Sequence, residues 1–146
     1  MRVAIAQQPP VLLDREATLA AAVTHLHAAA DGGADLVVFA EAYVPGYPLW
    51  IWRLRPEVDF DLTSAIHKQL VANSVDLSAD GLRPLRDAAA ERSVVVVCGL
   101  NERDGEFGRS TLYNTVVTIG VDGTIHDEGE TWTATMRHIA AEGRAG

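Results

Sequence analysis

One carboxylate, Glu41, stands where a side chain can take a proton from a reacting group. It follows residues 34–40 (ADLVVFA), a run of strand length that is apolar except for Asp35. Such a run predicts a strand buried on both faces of a parallel or mixed sheet, and ligands gather beyond the carboxyl ends of such strands. Glu41, expected in a mostly apolar surround, is therefore the first candidate for a functional residue. The alternative is a solvated residue that simply begins a loop.

The loop after Glu41, residues 42–56, contains several aromatic side chains. Its prolines and glycine argue against a regular element, so we predict a structured loop. Tyr43, Tyr47 and Trp50 could line a pocket for a small organic substrate. The same side chains, with Trp52, could instead pack the loop onto helices or form a subunit contact. The sequence favours neither alternative.

The chain contains one cysteine and one lysine, and neither lies in a context that favours catalysis. Cys98 follows four valines in a run that predicts a buried strand. A buried thiol packs as a small apolar side chain and is a poor nucleophile. Lys68 falls in a helical segment, where a solvated helix face is the simplest interpretation.

The histidines offer no convincing metal site. His25 and His27 are two residues apart on a predicted helix, so their side chains point in different directions. His126 is followed by Asp127, Glu128 and Glu130, but a short acidic turn is usually only solvated. We therefore predict that the chain binds no metal.

The elements that must position Glu41 alternate between strand and helix. Residues 3–7 predict a short strand, and prolines follow it. Asp14 can cap a helix with apolar residues at helical spacing, and Gly32 supplies its stop. Residues 34–40 then form the second strand. A strand, a helix and a strand in this order predict a crossover between parallel strands.

The rest of the chain adds further helices and a hairpin. The predicted elements are helices over residues 61–73 and 81–92, hairpin strands over residues 94–99 and 111–119 with a turn at residues 104–105, a short strand near residue 125 and a helix over residues 131–143. Pro84 is compatible with the second of these helices only in its first turn. Together the elements predict an α/β domain with a mixed sheet flanked by helices.

Length and charge limit the classes of function. With 146 residues, 48% of them hydrophobic, the chain can form one domain with a core. A formal net charge of -8 argues against nucleic acid or an anionic membrane as partner and favours a small or neutral ligand. No run approaches the roughly 20 apolar residues of a membrane span. The first residues lack a signal-peptide core, so we expect a cytoplasmic protein.

Several segments resemble the nitrilase family of carbon-nitrogen hydrolases. Residues 37–48 (VVFAEAYVPGYP) closely resemble the family's first signature, a strand that ends in Glu and precedes a loop with aromatic residues, proline and glycine. RVAIAQ at the start, VVVVCGLNERDG at residues 94–105 and TLYNTVVTIGVDG at residues 111–123 resemble its other strands in the expected order. The resemblance covers residues 1 to about 125. Ala40 stands where the family usually has proline.

The resemblance implies hydrolysis of a small nitrile or amide by a Cys, a Glu and a Lys, with Glu41 as the general base. It implies no cofactor and a homo-oligomer. The basic stretch with the catalytic Lys and the later strand with the catalytic Cys are both missing after residue 123. Residues 131–146 (TWTATMRHIAAEGRAG) instead resemble a helix that follows the nucleophile in full-length nitrilases. The chain is therefore expected to be catalytically incomplete.

The implied fold is an α-β-β-α sandwich in which two sheets face each other. Residues 1–146 would form a single, incomplete domain of this kind, with an unpaired sheet edge and an uncovered apolar face. Three functions follow: a hydrolase that recruits Cys98 or residues of a partner subunit, a non-catalytic binding or oligomerisation module, and a truncated fragment without activity. The second and third fit the residues better than the first.

Overall fold

Five strands form one mixed sheet in the computed structural model, which describes residues 1–55, 57–103 and 111–126. The strands lie side by side in chain order and are β1 Val3–Ala6, β2 Leu36–Phe39, β3 Val95–Arg103, β4 Leu112–Ile119 and β5 Ile125–His126. The first three run parallel, and β4 and β5 continue the sheet antiparallel. The predicted α/β class and mixed sheet are confirmed.

The helix α1, Arg15–Asp31, connects β1 to β2. It begins at Asp14, whose side chain accepts a hydrogen bond from the Ala17 amide at 2.9 Å. This contact satisfies one of the amides that the first turn of a helix leaves without a partner. The helix ends at Gly32, and Leu26 is among the residues it buries. Both the predicted start and the predicted stop are confirmed.

The helices α2, Phe60–Asn73, and α3, Arg83–Arg92, lie close to their predicted bounds. Pro84 falls in the first turn of α3, where its missing amide hydrogen costs no intrahelical bond. The helix ends at Ser93, which adopts a left-handed conformation with φ 51°. None of the helices in the described residues is long and apolar enough to span a membrane.

The hairpin of β3 and β4 is confirmed, and its first strand is longer than expected. β3 continues through Arg103, which lies opposite Leu112. The short strand predicted near residue 125 is β5. The predicted turn at residues 104–105 and the predicted helix over residues 131–143 lie outside the described residues.

The helices cover one face of the sheet, and the side chains of that face form the core. Cross-strand pairing puts the buried members of neighbouring strands on the same side, as in the pair Cys98 and Val117. The core residues of the sheet are Val37, Phe39, Val96, Cys98, Leu100, Val117 and Ile119, and those of the helices include Leu19, Leu26, Leu85 and Ala89. This arrangement leaves the other side of the sheet, called here the open face, outside the core.

The open face carries apolar side chains that no described residue covers fully. Val3, Ile5 and Val116 are 47%, 70% and 43% exposed. The sequence predicts that the second strand is buried on both faces, but Leu36 and Val38 are only half-buried. The reason is that the described helices pack against a single side of the sheet. The second sheet of the implied sandwich is not found among residues 1–55, 57–103 and 111–126.

Two neighbouring valines of β4 test this assignment of faces. Val117→Thr places a hydroxyl in the core and should lower the free energy of unfolding by about 1–2 kcal/mol. Val116→Thr, the same substitution on the open face, should change it by less than about 0.5 kcal/mol. Urea denaturation followed by circular dichroism measures both. Equal losses in the two variants would show that the open face is covered in solution.

Candidate active site around Glu41

The chain leaves β2 and crosses directly over Gly99 of β3. A Cβ atom built on Gly99 would lie 2.6 Å from the carbonyl oxygen of Ala40 and 2.7 Å from the Cα of Glu41. Both distances are far shorter than a normal contact, so only glycine fits. Neighbouring residues of a strand point to opposite faces, and Cys98 points into the core, so a side chain at position 99 would point to the open face. The backbone of Glu41 occupies that space and therefore lies on the open face.

Residues 42–46 continue as a buried segment that is hydrogen-bonded to β3. The Val44 amide donates to the Gly99 carbonyl at 3.3 Å, and the Asn101 amide donates to the Val44 carbonyl at 2.8 Å. The side chain of Asn101, itself buried, donates through Nδ2 to the Gly46 carbonyl at 3.0 Å. These contacts confirm the prediction of a structured loop.

The Glu41 carboxylate accepts a hydrogen bond from a residue of β4, the second strand of the hairpin. Nδ2 of Asn114 in β4 donates to Oε1 of Glu41 at 2.5 Å. Asn114 lies directly opposite Asn101, so the two amides share the open face. Glu41 is exposed, contrary to the expectation of an apolar surround. The surround is missing because the described helices cover only the other side of the sheet.

The aromatic residues after Glu41 do not form one cluster. Tyr43 lies in the core, with its ring centroid 5.0 Å from that of Phe39, and so packs the loop rather than lining a pocket beside Glu41. Burial raises the pKa of the Tyr43 hydroxyl, and Cys98 raises it further. Tyr47 is 36% exposed, and Trp50 is half-buried in the helical turn Leu49–Trp52.

Cys98 and Lys68 both lie away from Glu41. The Cys98 thiol is fully buried among the core residues, with Sγ 3.6 Å from the Gly99 carbonyl, and burial raises its pKa to about 12. It therefore faces the side of the sheet opposite to Glu41. Lys68 is exposed on α2, as the solvated interpretation predicts. The prediction that Cys98 is a core residue is confirmed.

The described residues contain no group of three or more His, Cys, Asp or Glu side chains that could hold a metal ion. His25 lines a cavity of about 300 Å³ between β1 and α1, together with Gln7 and Gln8. His126 lies 3.2 Å from the Thr124 hydroxyl. The acidic residues that follow it, 127–130, lie outside the described part of the chain.

A family comparison extends over almost the whole sequence. The family model described as carbon-nitrogen hydrolase matches residues 2–144. The chain belongs to the carbon-nitrogen hydrolase family. The strand, the glutamate and the loop described above lie within the matched residues.

The relatives of this family member are longer proteins. It is 40% identical over 118 residues to an arylacetonitrilase of Aspergillus niger, which covers 79% of this chain and 33% of the relative. It is 36% identical over 105 residues to an aliphatic nitrilase of Rhodococcus rhodochrous, covering 72% of this chain and 27% of the relative. The chain thus spans about a third of the length of the curated relatives it matches.

Solved structures share the fold of this carbon-nitrogen hydrolase chain. An amidase from Nesterenkonia sp. superposes with a TM-score of 0.54 at 22% identity, covering 86% of this chain and 40% of the amidase. A mutant of that amidase superposes with a TM-score of 0.61 at 21% identity, with the same coverage. At this level of identity the likeness supports the fold alone.

Sequence reasoning misses three residues that shape the site: Gly99, Asn101 and Asn114. A glycine inside a β-branched run is a signal for close approach of another backbone, and Gly99 fits that rule. The two asparagines give a signal only once the hairpin register is known, because they are thirteen positions apart in sequence and directly opposite in the sheet. Their contacts to residues 41 and 46 are not visible in any local pattern.

The burial of Cys98 gives a test of its chemistry. Because its pKa lies at about 12 instead of the usual 9.0, the thiolate fraction at pH 8 should be lower by roughly 1000-fold. Iodoacetamide should therefore alkylate the folded chain at least about 100-fold more slowly than the chain unfolded in urea at the same pH. Mass spectrometry over time measures both rates, with Cys98→Ala as the blank. Similar rates would place the thiol at the surface.

Proposed function

We propose that this chain supplies the general-base side of a carbon-nitrogen hydrolase active site, with Glu41 as the base. The observation that carries the proposal is the position of the Glu41 carboxylate. It follows the carboxyl end of a parallel strand, lies on the open face of the sheet, and is fixed by Asn114. A base must be presented at a fixed point to take a proton from a nucleophile or water.

Hydrolysis of a nitrile or an amide also needs a nucleophile, and a cation near the developing negative charge speeds the reaction. Cys98 and Lys68 are the only Cys and Lys of the sequence, and both lie away from Glu41. The sheet itself separates the thiol from the carboxylate. We therefore propose that turnover requires a nucleophile from outside these 146 residues, and that a cation from outside would raise its rate.

The substrate that we propose is a small nitrile or amide. The relatives described above are named as an arylacetonitrilase and an aliphatic nitrilase, and both classes of substrate carry an apolar group beside the reacting carbon. Tyr47 and Trp50 are partly exposed on the loop that follows Glu41. They are the aromatic side chains that we propose to contact such a group. Tyr43 is left out because its ring is in the core.

The alternative is a non-catalytic module that binds or oligomerises through the same fold. The observation that favours it is the open face, where Ile5 is 70% exposed and Val3 is 47% exposed. Exposed apolar rows on a sheet favour association with another chain. This alternative needs no nucleophile, and a homo-oligomer would satisfy it.

An ammonia-release assay with phenylacetonitrile, an aliphatic nitrile and an amide separates these functions. The chain alone should release no ammonia above the background of Glu41→Gln, because it presents no nucleophile to the substrate. An added small thiol supplies one: Glu41 takes its proton, its sulfur adds to the nitrile carbon, and the proton passes to the nitrogen as one C–N π bond breaks. Water then adds to the carbon of this thioimidate, and ammonia leaves with a thioester as the other product. Glu41→Gln should lower the thiol-dependent rate at least about tenfold.

Cys98→Ala is the matched control in this assay and should leave the rate unchanged. Turnover without added thiol that Cys98→Ala abolishes would establish a rewired enzyme and contradict the core assignment. Folded protein whose thiol-dependent rate is absent, or equal in Glu41→Gln, would contradict the base and favour the non-catalytic module.

A further inference from the structure

We infer that Asn114 is a positioning residue for Glu41, and that its cross-strand partner Asn101 fixes the loop that carries Glu41. The inference rests on the proposed role of Glu41 as the base. Asn101 lies in β3 and Asn114 in β4. Their hydrogen bonds link the hairpin to both ends of the segment from Glu41 to residue 46.

The hairpin register brings the two amides to the same place. Asn101 lies opposite Asn114, and the next pair on that face is Gly99 opposite Val116. Gly99 provides the space into which the backbone of Glu41 descends. The two asparagines therefore lie beside the crossing point, where side chains of Asn length reach the loop.

The two amides act on different groups. Asn101 holds the end of the segment through a backbone carbonyl, that of Gly46, at 3.0 Å. Asn114 holds the start of the segment through the carboxylate itself, at 2.5 Å from Oε1. Loss of the first contact would loosen the loop, whereas loss of the second would free the side chain of Glu41 alone. Only the second contact touches the atoms that would take the proton.

An exposed glutamate without a partner samples several rotamers, so its carboxylate is rarely at one fixed point. A charge-assisted hydrogen bond from a rigid strand selects one of them. Holding a reacting group in one geometry is a large part of what an active site contributes. Asn114 can do this for Glu41 because it lies within β4, which pairs with β3 from Leu112 to Ile119.

The choice of asparagine fits this role. Its amide is neutral and has a donor in every protonation state of the carboxylate. An aspartate at position 114 would repel the anion, and a lysine would pair with its charge. A leucine has almost the same shape but offers no donor. Asn114→Leu therefore removes the contact with little change in packing.

Nuclear magnetic resonance of the full chain tests the contact from both sides. In Glu41→Ala the Asn114 side-chain amide protons should move to the shifts of a free amide and exchange faster with water, while those of Asn101 stay unchanged. In Asn114→Leu the side chain of Glu41 should pass from one rotamer, measured by three-bond couplings, to an averaged distribution. Thr118→Val, on the same face of β4, should leave Glu41 in its original rotamer.

The outcomes separate this inference from the proposed function. An Asn114 amide that ignores Glu41→Ala, or a Glu41 rotamer that survives Asn114→Leu, would overturn the inference. If Asn114→Leu fails to fold, the Glu41→Ala variant still decides, because Glu41 is exposed. If the coupling is present but Glu41→Gln leaves thiol-dependent ammonia release unchanged, the contact stands and the base assignment fails. If both hold, Asn114→Leu should lower that release at least about tenfold.

Discussion

The close contact between residues 40–42 and Gly99 is the constraint on which the geometry of this site depends. Any side chain at position 99 would collide with backbone atoms less than 3 Å away. Backbone atoms cannot move away as the end of a flexible side chain can. The crossing also sets the start of the segment in which Val44 pairs with β3. Sheet propensity alone would favour a β-branched residue there. The glycine weakens the strand locally and lets Glu41 reach the sheet.

Strand alternation then determines which chemistry is possible. Cys98 is the direct neighbour of Gly99, so its side chain must point to the opposite face and enter the core. Moving the Cys98 side chain to the face of Glu41 would need a one-residue shift in the pairing register of β3. That shift would also expose the apolar side chains of the core. Cys98, the one cysteine of the sequence, is therefore excluded as a partner of Glu41 by the packing that stabilises the fold.

Local patterns predict the elements well because their causes are local. The cap at Asp14, the stop at Gly32 and the first-turn position of Pro84 each depend on a few neighbouring residues. The contact between Asn114 and Glu41 joins positions 73 residues apart and depends on strand register, which no short segment contains. The expected burial of β2 on both faces fails for a similar reason. An apolar run shows that a strand can be covered twice but not that a second layer is present.

The open face carries both the apolar side chains that remain uncovered and the carboxylate of the candidate site. Glu41 and the exposed side chains of Ile5 and Val116 lie on the same side of the sheet. A layer that covered the apolar rows would also reduce the access of water to the carboxylate. Lower polarity strengthens an existing hydrogen bond, so the contact from Asn114 would hold Glu41 more firmly there than in the open sheet. Binding of such a layer and fixing of Glu41 would then favour each other.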